Sequence, residues 1–221
     1  MNTAEFRKLI TKHFSPKIRE LGWKGSGFHY RKVDQNHIVN ILGLQGSRFG
    51  DSIYCETAIH FDFIPDLVGF SYDKSTYDSC LIRERITPNN SGGWNLSNKE
   101  DINIETINSI WTSFKLQGTK FYEDFSKFPH PFDKIKPQDL RNNTNYKILG
   151  KYFITNHIEL ANLLKEINLL IGNKAMAKEF SILGIEAIND LGRKLLVGKK
   201  TKSYRETERF IENQLKKLTI E

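Results

Sequence analysis

Cysteine is nearly absent, with 2 in 221 residues. Cys55 and Cys80 cannot build a disulfide framework, and neither stands in a CxxC. That excludes a small disulfide scaffold and points to a reducing compartment. Long apolar runs are missing as well, and no window approaches the roughly 18 apolar residues of a membrane span. The opening stretch, MNTAEFRKLITKHF, is charged from Glu5, Arg7 and Lys8 onward and has no apolar core of leader length. We expect a cytoplasmic protein with no membrane partner. Alanine is scarce while Asn, Ile and Lys are frequent, a composition that fits an AT-rich bacterial genome. No period of 30–50 residues recurs, so a helical solenoid is not expected.

Recognisable catalytic spacing is missing too. The six histidines form no HExxH and no HxH, and there is no GxSxG. Cys55 and His60 are five apart on one extended segment and face opposite ways, which does not suit a shared metal. Gly192–Thr201 (GRKLLVGKKT) has five residues between its glycines, where a phosphate-binding loop needs four, and Lys200 stands where the hydroxyl belongs. We therefore expect no metal and no cofactor. Both cysteines read as small buried residues rather than nucleophiles.

What is present is a globular composition, 38% hydrophobic and 12% aromatic, at a length that lets roughly 70% of the extended surface be buried. The formal net charge of +7 is unevenly placed. Residues 1–50 carry nine Lys or Arg and three acids, residues 190–221 nine and five, and the middle is slightly acidic. Basic ends can attract a polyanion such as nucleic acid; solvated lysine-rich faces explain them as well.

Hydrophobic periodicity orders the chain. Phe6, Leu9, Ile10, Phe14, Ile18 and Leu21 recur at three- and four-residue steps, which predicts a helix over 3–21, opened by an Asn2/Glu5 capping box and kinked or split by Pro16. Phe28 and Tyr30 alternate with His29 and Arg31, and Ile38–Gln45 is a mostly apolar run. Over 53–63 the alternation is strict. Ile53, Cys55, Thr57, Ile59, Phe61 and Phe63 share one face, while Tyr54, Glu56, Ala58, His60 and Asp62 share the other, predicting a half-buried antiparallel strand. A further strand spans 80–86, dense turn chemistry fills Thr87–Gly93, and Trp94 and Leu96 allow a short last strand. From 103 the period becomes 3.6, predicting a helix to about 126. Phe128–Pro137 must be loop, since it holds three prolines. An antiparallel helical pair meets at Gly172-Asn173, and a final helix spans Tyr204–Leu218 after the basic Gly198–Lys202 loop.

Two groups stand out as candidate ligand- or partner-binding residues. Gln45, Ser47 and Arg48 lie at the exit of a strand, where loops commonly carry binding residues. Arg83 and Arg85 are two apart, so both guanidiniums leave one sheet face and suit a carboxylate or phosphate; pairing with Glu56 or Asp62 on the next strand is the structural alternative. A site there would be lined by aromatics such as Tyr54 or Trp94.

Several short motifs of the first half carry a resemblance. Leu21-Gly22-Trp23 closes a helix, followed by Gly27-Phe28-His29-Tyr30-Arg31. A strand then ends in Val39-Asn40-Ile41-Leu42-Gly43-Leu44-Gln45, before Ser47-Arg48-Phe49. After the alternating strand comes Ile82-Arg83-Glu84-Arg85-Ile86, ahead of a Gly-Trp. This order resembles the bacterial family called domain of unknown function 4304 over about residues 5–130. Trp23 stands where that family more often has Phe, and the single Trp94 where a Trp pair is common. The resemblance implies a cytoplasmic bacterial α+β domain and no particular activity.

The reading is α+β: an N-terminal helix packed on a four- or five-stranded antiparallel sheet over residues 1–130, followed by a helical C-terminal half, with 150–221 an extension packed on it. In function it is a non-catalytic binding or interaction module for an unknown protein or small anionic ligand. A nucleic-acid-associated protein using the basic segments, and an enzyme of unrecognised type, are the alternatives.

Overall fold

The computed structural model describes residues 2–48, 50–88, 92–198 and 200–220. The chain divides into two compact units, Met1–Phe128 and Pro129–Glu221.

In the first unit, helix α1 (Thr3–His13) opens on the capping box: the Glu5 amide donates to Asn2 Oδ1 and the Asn2 amide to Glu5 Oε2, both at 2.9 Å. Pro16 has no amide to give to a helical ladder, so the stripe divides at Phe14 and Pro16 falls in the first turn of α2 (Ser15–Glu20), where that loss is harmless. Strands β1 (Lys24–Ser26), β2 (His29–Val33), β3 (Ile38–Gly46), β4 (Ser52–Phe61) and β5 (Ile82–Ile86) follow in spatial order, all antiparallel. The two-residue β6 (Trp94–Asn95) pairs with the start of β4, making six strands. The sequence reading held no strand at 24–26. Three residues including Gly25 carry no periodicity, and only pairing with β2 reveals them.

The inner face of the sheet carries Tyr30, Leu42, Leu44, Ile53, Cys55, Ile86 and Trp94. These pack with Phe6, Ile10, Phe14 and Ile18 of α1 and α2 and with Ile107 and Ile110 of α3 (Glu100–Ser113). A wider π turn, Phe114–Gly118, joins α3 to α4 (Thr119–Phe125). In it Gln117 reaches the end of β5, donating from Nε2 to Thr87 O at 2.8 Å.

The outer face departs from expectation. Glu56, Ala58 and His60 are buried there, at 6%, 0% and 5% exposure, although alternation predicted a solvated face. The cause is the connection between β4 and β5, residues 62–81, which folds back across the sheet. Its Tyr77 and Cys80 build a second cluster with Val39, Ile41 and Ala58, with Tyr72 packed against it. Cys80 therefore sits buried under this cover, ahead of β5 and not in the strand expected from 80. Asp66, itself 2% exposed, fixes the cover: its Oδ1 accepts the amides of Val68 (3.1 Å) and Phe70 (2.8 Å). Burial opposes the Asp66 charge, yet hydrogen bonds from Ser79, Phe70, Ser75 and Val68 outweigh it and lower the pKa.

The cover makes His60 an acid-sensitive point. Its Nε2 lies 2.9 Å from Ile64 O, and burial lowers its pKa, a larger effect than the upward pull of that bond and of Asp66. His29 is shifted the same way, by burial first and then by Arg7. His60 gains a proton more readily when unfolded, so its stabilisation is present above about pH 6.5 and is lost as pH falls through the lowered folded value, while the exposed His29 adds little. The first unit should melt at progressively lower temperature as pH falls from about 6.5 to 5, and His60→Gln should flatten that slope. A wild-type melting temperature constant over this interval would contradict the assignment.

The second unit contains α5 (Pro137–Arg141), α6 (Tyr146–Leu149), α7 (His157–Leu170), α8 (Lys174–Leu195) and α9 (Lys202–Leu218). Helices α7 and α8 form the expected antiparallel pair, capped by Asn156 and Asn173. Helical structure begins earlier than 150: a 3₁₀ turn at Phe132–Lys134 and α5 interrupt the stretch read as loop, because Pro137 opens a helix as readily as it ends one. Buried polar groups tie α9 to α7, with Gln214 Nε2 donating to Glu159 Oε1 at 2.7 Å and Lys165 to Lys217 O. Residues 89–91 of the Thr87–Gly93 turn, Phe49 beside Arg48, and Lys199 of the basic loop lie outside the described residues.

Candidate functional site

Four of the sequence-selected residues share the outer face. Tyr54 is the cross-strand neighbour of Gln45, and Arg85 that of Glu56. Arg85 Nε donates to Glu56 Oε1 at 2.6 Å, and its guanidinium carbon lies 4.6 Å from the centre of the Tyr54 ring. The Glu56 carboxylate is 8% exposed, so Arg85 is the charge that balances it. Arg83 stands opposite Ala58, is exposed, and among the described residues has no acid within salt-bridge distance. Gln45 is exposed as well. Ser47 and Arg48 belong to the β3–β4 turn, where Ser47 Oγ donates to Asp51 Oδ1 at 2.6 Å and lowers that carboxyl's pKa. Trp94 lies apart, on the inner face: it is 6% exposed and its Nε1 donates to Ser109 Oγ at 3.0 Å.

A groove of about 550 Å³ lies at the other end of the sheet. It is lined by Gly22, Lys24, Gly25, His29, Arg31, Lys32 and Val33 from β1, β2 and their approach, and by Tyr72 and Asp73 from the cover. Lys24 and Arg31 are register partners, so two cations stand directly opposite on neighbouring strands of one face. Such a pair, with β-carbons about 5 Å apart, is destabilising unless something negative compensates it. Among the described residues, neither has a carboxylate within salt-bridge distance. Arg31 is held in place by donation from Nη2 to Ser75 O at 2.9 Å. Gly25, at φ +125, is what lets β1 close on β2, because a β-carbon there would stand 2.2 Å from His29 O. Asp73 bonds Ser71.

Sequence reasoning missed this groove. His29 and Arg31 were read on a strand, but nothing in the sequence placed Lys24 opposite Arg31 or folded Tyr72 and Asp73 back over them. The two thiols are no nucleophiles at neutral pH: burial raises the Cys55 pKa and pushes that of Cys80 up to about 12. Among the described residues, no three His, Cys, Asp or Glu side chains are placed to hold a metal ion. No described helix is long and apolar enough to cross a membrane.

The profile of a family described as Domain of unknown function (DUF4304) matches residues 14–124. No curated protein and no solved structure matches the chain significantly.

Proposed function

Because the chain belongs to the DUF4304 family, whose description assigns no chemistry, we propose from the geometry alone that it is a binding module whose first unit takes a small anionic ligand in the β1–β2 groove. The observation that carries the reading is the facing pair Lys24 and Arg31, with no described acid at salt-bridge distance and Asp73 acting on Arg31 from farther off, opening on a concavity of ligand size. The basic C-terminal segment supports a polyanion reading less well, since Lys200 and Lys202 lie 3.6 Å and 3.9 Å from Glu208 and Glu206.

Titration of the isotope-labelled chain with inorganic phosphate at low salt tests this. Saturable shifts should appear at the amides of Lys24, Gly25, Arg31, Tyr72 and Asp73, weaken with added salt, and vanish in Lys24→Gln. No shift in the groove with phosphate, sulfate or citrate would overturn the proposal.

A further inference from the structure

Groove charge and groove wall together narrow the ligand beyond "a small anion". The lining holds Lys24, Arg31 and Lys32 with one carboxylate, Asp73, an excess of two positive charges. A head group carrying close to two negative charges matches that excess, and a phosphate monoester at neutral pH does so where a carboxylate carries one. The guanidinium of Arg31 is oriented by Ser75 and keeps further N–H donors, and a tetrahedral phosphate has oxygens enough for it and the Lys24 amine at once.

The remainder of the wall is His29, two glycines and a pair of side chains with apolar surface, Val33 and Tyr72. Val33 shares the strand face of Arg31, two residues on, and is 51% exposed. Tyr72 lines the same groove, only partly buried, and packs against the cluster beneath the cover. A cationic pair together with a tyrosine and a valine make the groove amphipathic. A volume of about 550 Å³ is larger than a bare phosphate needs and suits a head group with a ring attached.

We infer that the groove recognises an organic phosphate monoester with a flat apolar body, the phosphate held between Lys24 and Arg31 and the ring laid against Tyr72 and Val33. This rests on the anion reading above and adds the dianionic head and the aromatic body.

Calorimetric titration of the full chain at about pH 8, where phosphate monoesters are dianions, with phenyl phosphate, inorganic phosphate, benzoate and benzyl alcohol separates the claims. Phenyl phosphate should bind about tenfold tighter than inorganic phosphate, the gain expected of one stacked ring. Benzoate should bind more weakly than phenyl phosphate, and benzyl alcohol not measurably. Tyr72→Leu, which keeps the packing and removes the ring, should erase the advantage of phenyl phosphate while leaving inorganic phosphate binding intact; Lys24→Gln should weaken both. Equal affinity for phenyl and inorganic phosphate overturns the aromatic body with the anion reading still standing. Benzoate matching phenyl phosphate overturns the dianionic head. Full binding of phenyl phosphate to Lys24→Gln and Tyr72→Leu chains overturns the site. Binding of none of the anions removes the anion reading and this inference with it.

Discussion

Replacing Arg85 by alanine should destabilise the first unit by about 3 kcal/mol, while Arg83→Ala should stay within about 0.5 kcal/mol. The two arginines look alike in sequence, two residues apart on one strand face. Their surroundings differ. Arg85 balances the carboxylate of Glu56, which the cover holds out of water, and Arg83 faces Ala58. Removing Arg85 leaves a buried charge unpaired, and that penalty, more than the lost attraction, sets the size of the effect. Glu56→Gln in the Arg85→Ala background should therefore recover much of the loss, and the cycle should show coupling of about 1–2 kcal/mol. Trp23, Trp94 and Trp111 account for all 3 tryptophans and lie in the first unit, so urea unfolding followed by their fluorescence reports on that unit. An Arg85→Ala chain as stable as wild type would show that water already reaches Glu56.

Gly43→Val should open the cover. A β-carbon at Gly43 would lie 1.9 Å from Tyr77 Cδ1 and 2.6 Å from Cε1, so the ring rests on the bare backbone of β3. The ring is the far end of a short side chain anchored in a 3₁₀ turn, Tyr77–Ser79, and it cannot yield without that turn lifting. We expect a loss of about 2–3 kcal/mol, in the range of core overpacking. The more specific readout is chemical. Cys80, 3% exposed with its pKa held near 12, should be inert to a thiol reagent at neutral pH in the native chain and react readily in Gly43→Val. Cys80→Ser in the variant should abolish the reaction, because Cys55 lies in the inner core. A Gly43→Val chain with Cys80 still protected would mean that the ring and turn adapt without opening.

The strands were legible where alternation is strict. Residues 53–61 declared which side chains share a face, though not that the second face would be covered, and of the two acids offered to the arginines Glu56 meets Arg85 while Asp62, beyond the strand end, meets His37. The capping box at Asn2 and the break at Pro16 were equally plain, because a side-chain oxygen three residues from its amide, and an imide nitrogen without a hydrogen, act locally. The site was less legible for a definite reason. Lys24 gains its meaning only from Arg31, seven residues away across a strand pair that Gly25 allows. Tyr72 and Asp73 gain theirs from a return path of the chain. The stretch 62–81 has neither helical nor strand period. Its order comes from one buried carboxylate, one ring seated over a glycine, and a thiol, none of which announces itself in a pattern. Trp94 shows the converse: an aromatic placed near the arginines by sequence points to the opposite face.

The cover has two kinds of residue along its length. Asp66, Tyr77 and Cys80 fasten it at its ends, while Val68 and Phe70 project outward at 66% and 55% exposure and Tyr72 and Asp73 form one wall of the groove. The two walls of the groove therefore stand under different constraint. Residues 68–74 can be rewritten between two fixed fasteners, reshaping one wall, while the other wall, Lys24, Arg31 and Val33, is built into the strands and changes only with them.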